Sequence, residues 1–311
     1  MNTDQESAGD DLDPSLVAAM SERRQLINLA YRLLGSLADA EDVAQETYAR
    51  WYAMSPEQQA AVESPGAWLT TVATRICLDL LRSARVRRES YVGQWIPEPV
   101  PDRSELIGGR SEPTTVDPAD RVTLDESINM AFLYVLESMT PAERVAFILH
   151  DVFSYSFAEV AEMVGRTPAA CRQLASSARR RVDAAQVSAT PVSERAGLVR
   201  DFKRAWESQD IAGLVRLLDP DATAIADGGG VVQALLEPLH GSEAIALALV
   251  DLARTVPGLT MLERTVNGQP GLVVEQDGTV GTVMAFDVAS DKITHIWAVR
   301  NPDKLRPWTD S

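Results

Sequence analysis

The 311-residue chain reads as a multidomain protein, two small all-α units followed by one α+β unit. Three observations predict this. Residues 156–182 carry the caps, the glycine turn and the cationic second helix of a helix-turn-helix. Residues 91–119 hold five prolines and three glycines, which no regular element accommodates, and they separate two helical segments. Past Thr190-Pro191, helical spacing gives way to alternating, β-branched runs.

In chain order, residues 1–14 form an acidic tail of low hydrophobicity, expected to be disordered. The first helical unit spans 15–91. Leu16, Met20, Leu26, Leu29, Ala30, Leu33 and Leu34 follow helical spacing, and Gly35 ends that helix. A second helix begins near Asp39, with Asp39, Glu41 and Asp42 at its positive dipole end. Its outer face shows Glu41, Asp42, Gln45 and Glu46, while Val43, Thr47 and Trp51 turn inward. Ser55-Pro56 opens a short helical turn, and Ser64-Pro65 opens a long helix. There Trp68, Val72, Ile76, Leu80 and Leu81 form the expected buried stripe, with Thr71, Thr74, Arg75, Leu78, Asp79, Arg82 and Arg85 outside it.

The linker covers 92–119. Within it, Trp95-Ile96-Pro97-Glu98-Pro99 places a large apolar ring in an irregular segment, so the tryptophan is expected to dock within the chain. The second helical unit covers 120–186. Two helices precede the helix-turn-helix, the second capped by Thr140 and Glu143, with Val145, Ile148 and Leu149 inward and His150 structural. Ser156 and Glu159 form a capping box, Gly165 supplies the turn, and Thr167-Pro168 starts the second helix. Cys171, Leu174, Ala178 and Val182 face inward. Arg172, Gln173, Ser176, Arg179 and Arg180 face out, at spacings that suit base edges in a major groove.

Charge and cysteine content bound the function. A net charge of −16 excludes a general nucleic-acid coat protein, because phosphate would repel it. Two basic islands stand out against it. Residues 71–91 carry Arg75, Arg82, Arg85, Arg87 and Arg88 against Asp79 and Glu89, and residues 166–181 carry five arginines and no acid. Cys77 and Cys171 lie in predicted helices as reduced, packed thiols. Two cysteines and three histidines without ligand spacing argue against a metal, and no cofactor is expected. No apolar run approaches a membrane span and the N-terminus lacks a signal-peptide core, so no membrane partner and a cytoplasmic location are expected.

The segments DAEDVAQETYARW (39–51), AWLTTVATRICLDLLRSARVRRESY (67–91) and the helix-turn-helix (156–182), in that order, resemble the extracytoplasmic-function sigma factors. The resemblance implies core RNA polymerase and promoter DNA as partners. It puts Asp39, Glu41, Asp42, Gln45 and Glu46 on the polymerase β′ clamp, and the second unit on the β flap. It assigns the minus-ten promoter element to Thr74, Arg75, Asp79, Arg82, Arg85, Arg87 and Arg88, and the minus-thirty-five element to Arg166, Thr167, Arg172, Gln173, Ser176, Arg179 and Arg180. Physical chemistry supports each role separately: a carboxylate face suits a basic protein surface, and a melted strand needs cations and stacking faces.

The tail, 192–311, has a different character. Two helices (SERAGLVRDFKRAWES, IAGLVRLL), strand-like ATAIA, the turn Asp227-Gly228-Gly229-Gly230, strand-like VVQALL and a helix (GSEAIALALVDLART) precede four strand-like runs with Asp277-Gly278 as a hairpin turn. Helices followed by a curved antiparallel sheet make an α+β unit. The pattern resembles the SnoaL-like branch of the cone-shaped NTF2 superfamily. Sigma factors of the sigma-J-type group carry such a tail, with WLPEP, DGGGK and NPDKL motifs. This chain has Trp95-Ile96-Pro97-Glu98-Pro99, Asp227-Gly228-Gly229-Gly230 followed by Val231, and Asn301-Pro302-Asp303-Lys304-Leu305. The resemblance marks these three segments as interdomain regulatory contacts, and Val231 removes the charge that a lysine would bring.

Three function classes compete. In the first, the tail is a regulatory module of a sigma factor, a non-enzyme needing no separate anti-sigma protein. In the second, the tail is an enzyme or ligand binder: Asp227 and His295 form the acid/base pair, and Trp206, Met284, Phe286 and Trp297 line a pocket for a small hydrophobic molecule. The third is a helix-turn-helix regulator with a sensor or cyclase-like domain, which leaves residues 15–91 unexplained.

Overall fold

In the first helical unit Gly35, at φ +69°, stops α1 (Pro14–Leu34), and its N–H donates to the Tyr31 carbonyl at 2.7 Å. Ser36 caps α2 (Leu37–Tyr52), and a Ser55/Gln58 capping box opens α3 (Pro56–Ala60). The long helix is α4 (Pro65–Arg88). The second unit opens with a 3₁₀ turn (Glu126–Ile128), followed by α5 (Met130–Leu136). Next comes α6 (Pro141–Phe147), begun by the Thr140/Glu143 box and continuing into a π turn (Ile148–Val152). The helix-turn-helix is α7 (Phe157–Val164) and α8 (Pro168–Ala184), joined at Gly165 with φ +67°. The computed structural model describes residues 14–88, 91–101, 126–185 and 192–309, with the side chains of 14–20, 84–88 and Glu126 also outside the description. The acidic tail to residue 13 and linker residues 102–119 therefore lie outside the described residues.

The stripe of α4 is rotated from the expectation. Leu69, Ala73, Thr74, Ile76, Cys77, Leu78 and Leu81 are buried, while Trp68, Val72 and Leu80 are half-buried. The cause is a second neighbour: α4 packs against α1 and α2 on one side and α6 and α7 on the other, so its apolar face is wider than a stripe. Trp68 meets Trp51 edge-on at 5.2 Å. In α8 the buried positions are Cys171, Ala175 and Ala178, with Leu174 and Val182 at the margin.

The two helical units share one core. Leu26, Leu33 and Leu34 of α1, Ala73 and Cys77 of α4, and Phe132, Phe147 and Leu149 of the second unit belong to a single apolar cluster. Two buried arginines clasp the junction. Arg32 of α1 donates from Nε to the Ser127 hydroxyl at 2.6 Å, and Arg144 of α6 donates from Nη1 to the Leu33 carbonyl at 2.9 Å and to Glu137 at 2.7 Å.

The tail comprises α9 (Val192–Glu207), α10 (Ile211–Leu217), β1 (Leu218–Asp227), β2 (Leu239–His240), α11 (Ser242–Thr255), β3 (Leu259–Val266), β4 (Gln269–Gln276), β5 (Thr279–Ala289) and β6 (Lys292–Val299). A 3₁₀ turn (Pro302–Leu305) and α12 (Arg306–Thr309) complete it. This is the α+β unit expected, with the sheet order β2-β1-β6-β5-β4-β3. Two details differ. The β1–β6 pair is parallel, because the chain returns to β1 only after the whole β3–β6 meander. VVQALL forms no strand: the Val231 and Val232 N–H groups donate to the Gly228 carbonyl, which turns the chain away, and Leu239–His240 takes the place beside β1.

Both faces of the sheet's middle strands are buried, since alternation sends successive side chains to opposite faces and each face carries a packed layer. Leu272, Val274, Met284, Phe286 and Ile296 face the tail's own helices, in a core with Phe202 and Trp206. Val273, Val283, Ala285, Trp297 and Val299 face the other way, onto Ile96 of the linker and Met130 and Ala131 of α5. The linker and the second helical unit are thus the second layer over the tail's sheet.

Candidate polymerase and promoter interfaces and the contacts that close them

The acidic face forms as the sequence predicts. Ala40, Val43, Ala44 and Thr47 pack α2 inward, leaving Asp39, Glu41, Asp42, Gln45 and Glu46 exposed together on one side. Glu46 is paired to Arg50 one turn on. Such a face offers carboxylates to a basic protein surface and repels phosphate.

The minus-ten set divides. Arg75, Asp79 and Arg82 are exposed on α4, the last two paired at 3.1 Å. Thr74 is a correction: its side chain is fully buried in the closed chain and does not lie on the outer face of α4. Arg85, Arg87 and Arg88 belong to the last turns of α4, and their side chains lie outside the described residues. Arg75 does not project freely. Its Nε donates to the Met163 carbonyl at 3.1 Å and its Nη2 to the Glu162 carbonyl at 3.4 Å, closing the orphan carbonyls at the end of α7.

On the helix-turn-helix, Arg166, Thr167, Arg172, Gln173 and Arg180 are exposed, and Ser176 is half-buried. Thr167 accepts the Ala170 N–H at 3.2 Å as the cap of α8, and Arg172 lies 5.2 Å from the Phe157 ring centroid. Arg179 is the second correction. It donates to the buried Asp151 carboxylate of the π turn at 2.5 Å, so it fastens α8 to its own unit instead of projecting from it.

The three motif segments converge on one buried node. Asp227, fully buried at the end of β1, accepts at Oδ2 from the Lys304 ammonium at 2.6 Å and from the Ile96 N–H at 3.0 Å. Its Oδ1 accepts from the Tyr91 hydroxyl at 2.6 Å and the Gly229 N–H at 3.0 Å. Lys304 also donates to the Ile96 carbonyl at 2.5 Å and sits 4.1 Å from the Trp95 ring centroid. Gly229 is needed here, since a Cβ would fall 2.5 Å from the Asn301 side chain. Gly228 and Gly230 complete the turn, Leu305 is buried under the linker side of the sheet, and Pro302 and Asp303 begin the terminal turn. Val231, in place of a lysine, is 78% exposed and, being apolar, brings no charge to the turn.

The linker is docked from Ile96 to Val100, all five of them buried, while Val92 is exposed. Glu98 spans to the first unit: its carboxylate accepts the Leu37 N–H at 2.8 Å at the start of α2, and its own N–H donates to the Gly35 carbonyl at 2.8 Å. Burial pushes its carboxyl above the usual carboxylate range, with the Leu37 amide and Lys304 pulling the other way. Trp308 donates to the Pro99 carbonyl at 2.8 Å.

Asn267 was not among the sequence candidates. It occupies the β3–β4 turn at φ +51° and is fully buried. Its Nδ2 donates to the Tyr31 hydroxyl at 2.8 Å and to the Ile128 carbonyl at 2.9 Å, and its Oδ1 accepts the Val100 N–H at 3.1 Å. One tail residue thus bonds the first unit, the second unit and the linker. The Asn267-Gly268 dipeptide between two strand-like runs was the available signal, as a hairpin turn. Nothing local marked it as buried.

The acid/base pair does not assemble. Thr223 is the register partner of His295 and Asp227 that of Val299, so Asp227 and His295 sit four residues apart along adjacent strands, about 13 Å. Asp227 is already held by Lys304. Trp206, Met284 and Phe286 pack as core, with the Trp206 Nε1–H donating to the Leu249 carbonyl at 2.7 Å, and Trp297 lies on the opposite face of the sheet. Among the described residues no group of His, Cys, Asp or Glu could hold a metal ion, and no helix is long and apolar enough to cross a membrane.

Comparison with known proteins agrees with the two helical units. Residues 19–87 match the family model for sigma-70 region 2, and residues 129–182 match that for sigma-70 region 4. The ECF RNA polymerase sigma factor SigJ of Mycobacterium tuberculosis is 38% identical, over 91% of this chain and 90% of its own length. SigG, an ECF RNA polymerase sigma factor of the same species, is 32% identical over 89% and 78%. The crystal structure of the M. tuberculosis factor SigJ superposes with a TM-score of 0.72 at 33% identity, covering 94% of this chain and 98% of that one.

Proposed function

The chain belongs to the extracytoplasmic-function (ECF) RNA polymerase sigma factors, and on that premise we propose that its NTF2-like tail holds the factor closed until the polymerase and promoter open it. A sigma factor is not an enzyme. Its partners are core RNA polymerase and promoter DNA, which it serves in the bacterial cytoplasm.

The exposed carboxylates of α2 are the face offered to the β′ clamp, and the second unit is offered to the β flap. The outer face of α4 takes the melted minus-ten strand, and Arg166, Thr167, Arg172, Gln173, Ser176 and Arg180 on and before α8 take the minus-thirty-five major groove. Those two elements lie about 25 base pairs apart, roughly 85 Å along B-form DNA. In the closed chain α4 and α7 are joined through Arg75 at 3.1 Å, so the two reading surfaces cannot occupy both elements together. Closure and promoter engagement exclude one another.

The observation that carries this reading is Asn267, a tail residue bonded at once to Tyr31, Val100 and Ile128. A closure built into the chain makes a separate anti-sigma protein unnecessary. The test is promoter opening with core polymerase, followed by the fluorescence of a base analogue in the minus-ten region. Releasing the tail by substitution at Asn267 is expected to raise the opened fraction; a fraction no higher than that of the unsubstituted factor would refute closure.

A further inference from the structure

The second helical unit carries a stack of three side chains drawn from three separate elements. Phe157 opens α7, its ring half-buried against the shared helical core. His150 of the π turn stacks on that ring, with centroids 3.8 Å apart and planes inclined by 25°. The Arg172 guanidinium of α8 lies over the same ring, its Cζ 5.2 Å from the centroid. His150 is itself anchored, its Nδ1 lying 2.7 Å from the Tyr155 carbonyl. The core and a fixed imidazole therefore set the plane on which the guanidinium rests.

Arg172 is the fifth residue of α8, within the N-terminal part that a recognition helix presents to base edges. It stays exposed, so the ring holds the guanidinium without enclosing it. Arg179, two turns on, is instead committed to Asp151. An arginine stacked on a ring has lost part of its rotamer freedom before any ligand arrives, and its planar fork matches the O6 and N7 acceptors of guanine. His150, Phe157 and Arg172 all belong to the second helical unit, so separation of the two units does not part them.

We infer that Phe157 is a positioning residue: it holds Arg172 for a guanine in the minus-thirty-five major groove and so sets specificity at one base pair. This rests on the promoter reading proposed above. Ordering one long side chain beforehand is worth about two- to tenfold in affinity, and the gain goes only to the base that the fork can pair.

The test is equilibrium binding of holoenzyme, the full-length factor with core polymerase, followed by fluorescence anisotropy of labelled duplex promoters. The parent promoter is one that the unsubstituted holoenzyme selects from a randomised pool, and each base pair of its minus-thirty-five element is varied in turn. Arg172→Ala is expected to abolish a guanine preference of at least about fivefold at one base pair. Phe157→Leu and Phe157→Met keep an apolar side chain without a ring. Both are expected to weaken that same preference about two- to tenfold and to leave the other positions unchanged. Phe157→Tyr keeps the ring and should retain the preference. Adding Phe157→Leu to Arg172→Ala should remove nothing further, and thermal melts check that the variants fold. Full preference in both ringless variants, a loss spread evenly over every position, or a further loss in the double variant overturns the positioning role and leaves the promoter reading standing. If Arg172→Ala costs no preference at any base pair, Arg172 is not a base reader, and the positioning role falls with that assignment.

Discussion

The Asn267 side chain donates to the Tyr31 hydroxyl at 2.8 Å across 236 residues of sequence, and both residues are fully buried. The Tyr31 hydroxyl in turn donates to the Glu98 main-chain carbonyl at 2.7 Å. A turn of the tail therefore reaches α1 directly and the linker at the same point. Buried polar groups are costly unless satisfied, so this network either holds complete or comes apart.

Asn267→Gly separates the network from the turn. Glycine keeps the left-handed backbone, while three side-chain bonds disappear and the Val100 N–H and Ile128 carbonyl lose their partner. The expected loss is about 2–4 kcal/mol in urea unfolding, together with more promoter opening per factor. Unchanged unfolding would show that the turn contributes nothing to closure.

The Asp227–Lys304 pair predicts a strongly non-additive cycle. Asp227→Asn leaves a buried ammonium and Lys304→Met a buried carboxylate, each costing about 3–5 kcal/mol. The double variant buries no charge and is expected to be less destabilised than the sum of the singles. Additive losses in chemical denaturation would contradict a coupled pair at this node.

Gly35 is a second fulcrum. At φ +69°, with an added Cβ falling 2.8 Å from Trp95 Cη2, Gly35→Ala both strains the end of α1 and displaces the tryptophan. A loss of about 2 kcal/mol and a red-shifted tryptophan emission are expected. A shift-free spectrum would mean that the ring had not moved.

Much of this was legible in the sequence, for identifiable reasons. Capping boxes at Thr140 and Ser156, glycine stops at Gly35 and Gly165, and alternation in the tail are local signals, and the elements formed where they said except at VVQALL, which the turn at Gly228 diverts. The acidic face of α2 was legible because amphipathic spacing places charges directly. What was hidden is tertiary. Thr74 and Leu78 are buried because α4 has helices on two sides, which periodicity measured against one core does not reveal. Arg179 looked like a base reader until Asp151, 28 residues upstream, came within reach. Asp227 looked like a catalytic acid because its lysine partner sits 77 residues on.

Glu98 predicts a pH dependence of known sign. Burial raises its carboxyl above the ordinary range, so protonation favours the docked linker. Its contribution is in full at pH values below the ordinary glutamate range and is lost as pH rises through the raised value. At pH 7.5, above the ordinary glutamate range, burying this acid is a cost, which Glu98→Gln removes while its amide oxygen still accepts the Leu37 N–H. The variant is expected to melt higher than the unsubstituted chain at pH 7.5 and to converge with it near pH 4. A gap that widens on acidification has the wrong sign.

The acidic face sets the order of events. Asp39, Glu41, Asp42, Gln45 and Glu46 remain exposed while Arg75 and the node are closed, so closure does not cover the surface offered to the polymerase. Core enzyme can therefore capture the closed factor first, with separation of the reading units following on the promoter. Replacing Glu41, Asp42 and Glu46 by alanine touches only exposed side chains, so unfolding free energy should change by about 0.5 kcal/mol or less per site. Affinity for core polymerase should fall at least about tenfold, and its salt dependence should weaken, because complementary charge at such a face governs encounter. The loss should be equal in the Asn267→Gly background, since capture precedes opening. If that background restored polymerase binding to the triple variant, closure would be masking a second contact surface and the order would be reversed.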